Sequence, residues 1–70
     1  MPVKIRKLKS DLRKAGFLYE LGKGSHTRWY HPQDRSIKVT LSGNDGDDAQ
    51  RYQELNVRKI LKKLKEVQDD

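Results

Sequence analysis

The sequence predicts a two-layer α+β fold of order α-β-β-β-α, with two helices covering one face of a three-stranded antiparallel sheet. Three observations carry this. Apolar residues recur at helical spacing near both ends of the chain. They alternate with polar residues in the middle. The central segments are joined by short turns rich in glycine and proline. Two amphipathic helices suffice to bury one face of a small sheet and leave its other face to solvent.

The first helix is predicted from Lys4 to Ala15, where Ile5, Leu8, Leu12 and Ala15 form one face and Arg6, Lys7, Lys9, Arg13 and Lys14 lie elsewhere. Gly16 supplies its stop, because it enters the left-handed region without a Cβ penalty. Phe17, Tyr19 and Leu21 alternate with Leu18 and Glu20 as a short strand, and Gly22-Lys23-Gly24-Ser25 is a turn. A second strand runs from about His26 to His31, and Pro32-Gln33-Asp34-Arg35 turns the chain. The third strand, Ser36 to Ser42, sets Ile37, Val39 and Leu41 against Lys38 and Thr40.

Gly43 to Asp48 reads as an acidic, glycine-rich loop. The last helix carries the stripe Val57, Ile60, Leu61, Leu64 and Val67. Asn56 is the favoured N-cap, with Tyr52 and Leu55 tucked onto the core ahead of it. An alternative start uses Asp47 with Gln50 three residues later.

Seventy residues make one domain, 1–70, with a thin core. The absence of cysteine excludes disulfides and thiolate metal sites. No apolar run is long enough for a membrane span, and Met1 to Arg6 is followed by no apolar stretch of a secretory leader. A cytoplasmic protein without membrane contact is the expectation. Sixteen Lys and Arg against ten Asp and Glu leave a net charge of +6, which on so small a body favours a polyanionic partner.

Strand alternation assigns the open face. Ile37, Val39 and Leu41 must face the helices, and Trp29 is the best core residue of the second strand. His26, Arg28 and Tyr30 then join Lys38 and Thr40 outside, unless a bulge near the turn reverses His26. Arg and Lys neutralise phosphate charge, Tyr stacks on an unpaired base, and His moves a proton near neutral pH. A metal-free ribonuclease needs these groups, since RNA carries its own nucleophile in the 2′-hydroxyl. His26 is the candidate catalytic residue, as general acid or base, and the second proton carrier is left unassigned. Lys23 and Lys38 are placed on phosphates and Tyr30 on a base. Gly22 and Gly24 permit a tight turn and close backbone approach.

Other residue patterns are weaker. Ser25-His26 is a poor nucleophile pair, because neighbours on a strand point to opposite faces. His31 before Pro32 reads as a strand-end residue. The two histidines and the acidic loop match no metal-ligand spacing, so no metal or cofactor is expected.

Four stretches, LKSDLRKAGF (Leu8–Phe17), GKGSHTRWYHP (Gly22–Pro32), IKVTL (Ile37–Leu41) and VRKILKKL (Val57–Leu64), resemble the HicA family of bacterial and archaeal toxin–antitoxin systems. The specific part is Ala15-Gly16-Phe17, then Lys23-Gly24-Ser25-His26, then His31-Pro32. The resemblance implies a double-stranded-RNA-binding-domain-like fold and a ribosome-independent mRNA interferase, with His26 at the catalytic histidine position. It also implies mRNA as substrate and a HicB-type antitoxin that covers the active site. Lys23, Gly24, Ser25, Arg28, Tyr30 and Lys38 complete the candidate RNA-binding set.

One departure from the family pattern is a longer, more acidic segment from Ser42 to Leu55, whose Asp45, Asp47 and Asp48 either repel RNA or meet a basic antitoxin surface. Two rivals follow from the same residues. One is a non-catalytic RNA-binding module using Arg58, Lys59, Lys62 and Lys63 on duplex phosphates. The other is a protein-interaction partner with no RNA contact.

Overall fold

Ile5, Leu8 and Leu12 fall on one face of α1 (Ile5–Lys14) and are buried. This helix has no acidic residue in its first turn and no side-chain N-cap. Its unpaired N–H groups are met instead by a distant loop: Ile5 N–H donates to Asp47 O at 2.9 Å and Arg6 N–H to Asp45 O at 3.1 Å. The other end closes as the sequence predicts. Gly16 takes φ +91°, its N–H donates to Arg13 O, and Phe17 N–H reaches back to Leu12 O at 3.0 Å, the paired bonds of a Schellman stop.

The computed structural model describes residues 3–68. The leaderless reading of the N-terminus falls partly on Met1 and Pro2, which lie outside the described residues. After α1 come β1 (Leu18–Leu21), β2 (Thr27–His31), β3 (Asp34–Leu41) and α2 (Arg51–Gln68). The strands form one antiparallel sheet in the order β1-β2-β3. Thr27 pairs with Leu41, Trp29 with Val39 and Tyr30 with Lys38, and the register shifts between Tyr30 and His31. The predicted α+β order is the observed one.

Trp29, Ile37 and Leu41 of the sheet meet Leu8 and Leu12 of α1 and Val57 and Leu64 of α2 in one core cluster. Trp29 is only 1% exposed. Its indole N–H donates to the buried Thr27 Oγ1 at 2.9 Å, so neither polar group is left without a partner. The helices shelter β2 and β3 but not β1, every residue of which is exposed. Tyr19 is held there by stacking on Trp29, with ring centroids 4.8 Å apart.

Several boundaries differ from the sequence reading. The helix α1 stops at Lys14, where the Schellman bonds begin. Strand β2 starts at Thr27, because His26 still belongs to the preceding turn. Strand β3 starts at Asp34, leaving Pro32-Gln33 as the turn.

The largest correction concerns α2. It begins at Arg51, and Gln50 O accepts from Gln53 and Glu54 N–H, so Asn56 lies inside the helix. Tyr52 and Leu55 do not tuck inward; both are exposed. Gln53 is buried in their place, because its Oε1 accepts the Ser42 N–H at 3.1 Å and ties the helix to the end of β3.

The acidic loop is spent on α1. Lys4 pairs with Asp48 and Lys9 with Asp45, each at 2.6 Å, and Asp47 Oδ2 accepts the Asn44 N–H. The Lys9 ammonium bonded to Asp45 holds that carboxyl below its ordinary range.

Candidate active site

The β1–β2 connection is closed by two backbone bonds. Gly22 N–H donates to His26 O at 2.9 Å, and His26 N–H to Lys23 O at 3.2 Å. Gly24 sits at φ +61°, a conformation that favours glycine. A Cβ on Gly22 would stand 3.3 Å from His26 Cβ, so the absence of that atom lets the turn close beside the histidine. Ser25 Oγ accepts the Gly43 N–H at 3.1 Å. The serine predicted to touch RNA therefore ties the turn to the loop after β3.

The two histidines take opposite roles. His31 is 4% exposed. The Gln33 N–H donates to its Nδ1 at 3.1 Å, which leaves Nε2 as the protonated nitrogen, 3.2 Å from Ala15 O. Both ring nitrogens are used inside the protein, and the ring edge meets Phe17. His26 is exposed and enters no side-chain hydrogen bond formed among the described residues. It is the imidazole left open to solvent.

His26 borders a groove of about 570 Å³ between β3 and α2. Lys38, Thr40 and Ser42 form the strand wall, while Tyr52, Asn56, Lys59 and Lys63 form the helix wall. The lining carries no carboxylate. None of the ion pairs among the described residues involves Lys38, Lys59 or Lys63. Asp34 lies within electrostatic reach of Lys63 on the helix wall. Bonds from the Ser36 hydroxyl and N–H hold its carboxyl low, helped by Lys63 and His31.

The family model described as the HicA toxin of bacterial toxin–antitoxin systems matches residues 5–66. The chain belongs to the HicA toxin family. No curated protein and no solved structure gave a match. Membership makes it the toxin of a toxin–antitoxin system, with a HicB-type antitoxin as partner. No helix among the described residues is long and apolar enough to cross a membrane.

The predicted site residues of this HicA toxin divide into groups. Lys38 shares the groove with His26. Arg28 and Tyr30 face outward as alternation requires, but they border a neighbouring concavity that meets the groove only at Lys38, Val39 and Thr40. There the Arg28 guanidinium lies 3.9 Å from the Glu20 carboxylate, and Arg35 lies 6.0 Å from the Tyr30 ring centroid. Lys23 is exposed at the turn and borders neither concavity. Gly24 and Ser25 border a third, shallower hollow that also reaches His26.

Sequence reasoning missed the helix wall of the HicA groove. Lys59 and Lys63 entered only through the rival reading, and Tyr52 was assigned to the core. Their signal was present: Tyr52, Asn56, Lys59 and Lys63 are spaced by four, three and four residues, one face of a helix. Starting that helix at Asn56 concealed it.

Proposed function

We propose that this HicA toxin is an endoribonuclease, a ribosome-independent mRNA interferase acting as a single domain in the cytoplasm, with His26 as its general acid–base residue. The supporting observation is the division of the histidines. One is consumed by the fold, and the other stands exposed beside a groove lined with lysines. The double-stranded-RNA-binding-domain-like character of the fold belongs to the same reading, as does the antitoxin covering this surface.

RNA supplies the nucleophile. The 2′-oxygen attacks the adjacent phosphorus as its proton leaves to a base. The P–O5′ bond breaks and the departing oxygen takes up a proton. The products are a 2′,3′-cyclic phosphate and a 5′-hydroxyl. An imidazole beside the scissile phosphate serves one of these transfers, and water serves the other. Lys38 neutralises charge on the phosphate as it becomes pentacoordinate. Lys23, Gly24, Ser25, Arg28 and Tyr30 remain the outer RNA-contact set, with Ser25 acting through the turn it tethers.

The experiment is cleavage of purified RNA by parent and His26→Ala chains, with product ends identified and growth scored on induction. Loss of a general acid–base group slows the reaction by about 10²–10⁴-fold, while an exposed substitution leaves stability within about 0.5 kcal/mol. Cleavage at the parental rate by the Ala chain would sink the mechanism. The rival, a binding module without catalysis, draws on Lys59 and Lys63 in the groove. It is favoured if the parent binds RNA with steep salt dependence and forms no product.

A further inference from the structure

The mechanism leaves the helix wall of the groove unused. The direction of α2 makes that wall an ordered series. The Ser42 N–H at the end of β3 bonds Gln53 in the first turn of α2. At the other end, the Gln68 side-chain amide reaches Gln33, just before β3 begins, at 3.5 Å. The helix therefore runs antiparallel to the strand. Tyr52 lies at the His26 end of the groove and Lys63 at the far end, with Asn56 and Lys59 between them.

Tyr52 is 58% exposed, a large ring at one end of a groove lined by Lys38, Lys59 and Lys63 and outside the core cluster. Lys59 and Lys63 are four residues apart, about 6 Å along the axis at 1.5 Å per residue. They present two ammonium groups in line with the ring. An aromatic platform followed by cations along a positive groove is the arrangement that holds an unpaired strand: bases stack on the ring while the backbone follows the charge. A duplex offers such a ring no unstacked base.

We propose that the β3–α2 groove binds one unpaired RNA strand, with Tyr52 stacking the base next to the phosphate at His26 and Lys59 and Lys63 gripping the phosphates that follow. This rests on the reading of the chain as an RNA-cleaving toxin, and it adds the strand's path and the residues that select unpaired RNA. Tyr30 then lies off this path, in the neighbouring concavity with Arg28 and Glu20.

The test measures binding of a fluorescent 2′-O-methyl oligoribonucleotide, single-stranded or annealed to its complement, to the full chain with His26 intact. Such RNA lacks the nucleophile, so binding is read whether or not His26 catalyses cleavage. Stacking is worth about 1–3 kcal/mol per base by alanine substitution. Tyr52→Ala should therefore weaken single-strand binding about tenfold, within the roughly 5- to 150-fold that range allows. Tyr52→Phe should restore it, and duplex binding should not change.

The double variant Lys59→Gln, Lys63→Gln should flatten the slope of log K against log salt by about 1.4, at about 0.7 per phosphate released from a single strand. Parental single-strand affinity in Tyr52→Ala overturns the proposal. So does a Tyr52→Ala chain that keeps RNA affinity and loses antitoxin affinity, which would assign the groove to the protein partner. If the Tyr52 dependence holds while unmodified RNA is left uncut, the path stands and the catalytic reading falls.

Discussion

The Ser25 hydroxyl accepts a 3.1 Å hydrogen bond from the Gly43 N–H, joining the turn that presents His26 to the loop that follows β3. The bond is exposed, and it ties down the turn that ends at His26.

Ser25→Ala removes that tether without touching the core. We expect a stability loss of about 0.5–1.5 kcal/mol, the usual net worth of one hydrogen bond, together with a clear fall in single-turnover RNA cleavage. Ser25→Thr keeps the hydroxyl and should retain most of the rate. Urea unfolding and cleavage on the same samples decide it. Equal rates for Ser25→Ala and the parent would show that the turn positions His26 unaided.

His31→Ala should behave in the opposite way to His26→Ala. It empties a buried site and leaves the Ala15 carbonyl without its partner, at a cost of about 2–4 kcal/mol from the cavity and the lost bond. For a domain of this size that lowers Tm by roughly 8–32 °C, at about 4–8 °C per kcal/mol. The rate per folded molecule should be parental. A stable His31→Ala chain with no cleavage would exchange the roles of the two histidines.

Asp45→Asn tests the loop that caps α1. The folded carboxyl lies below its ordinary 3.8 because Lys9 bonds and attracts it. The pair's contribution is complete above that unfolded value and disappears as pH falls through the lower folded one. The variant should melt below the parent at neutral pH, and the two curves should converge in strong acid. Added salt should narrow the neutral gap, since the pair is exposed. A gap that persists at acid pH would trace the effect to something other than this ion pair.

The legible parts of the fold were those set by local period. Alternation alone put Trp29, Ile37 and Leu41 inside and Arg28, Tyr30 and Lys38 outside, because a strand has two faces and one had to be apolar. Gly16 announced the end of α1 through a backbone preference. Distant contacts were not legible. Gln53 is buried because Ser42 needs an acceptor, and no pattern within α2 conveys that, so Asn56 looked like the better start. The same error placed Tyr52 in the core and hid the helix wall of the groove. His31 was correctly read as a strand-end residue, but its bond to Ala15 joins elements that sequence spacing does not relate.

The capping of α1 by residues 45 and 47 also bears on how the toxin is born. The helix leaves the ribosome before the strands, yet the carbonyls that complete its opening turn lie beyond all three of them. A helix this short is marginal in water by itself, so the emerging chain holds no settled α1 until the Asn44–Asp48 loop has left the exit tunnel. That loop also carries Asn44, next to the Gly43 N–H that tethers Ser25. Residues 43 to 47 thus secure both the first helix and the turn that ends at His26. Nascent fragments that stop short of residue 43 lack both sets of contacts.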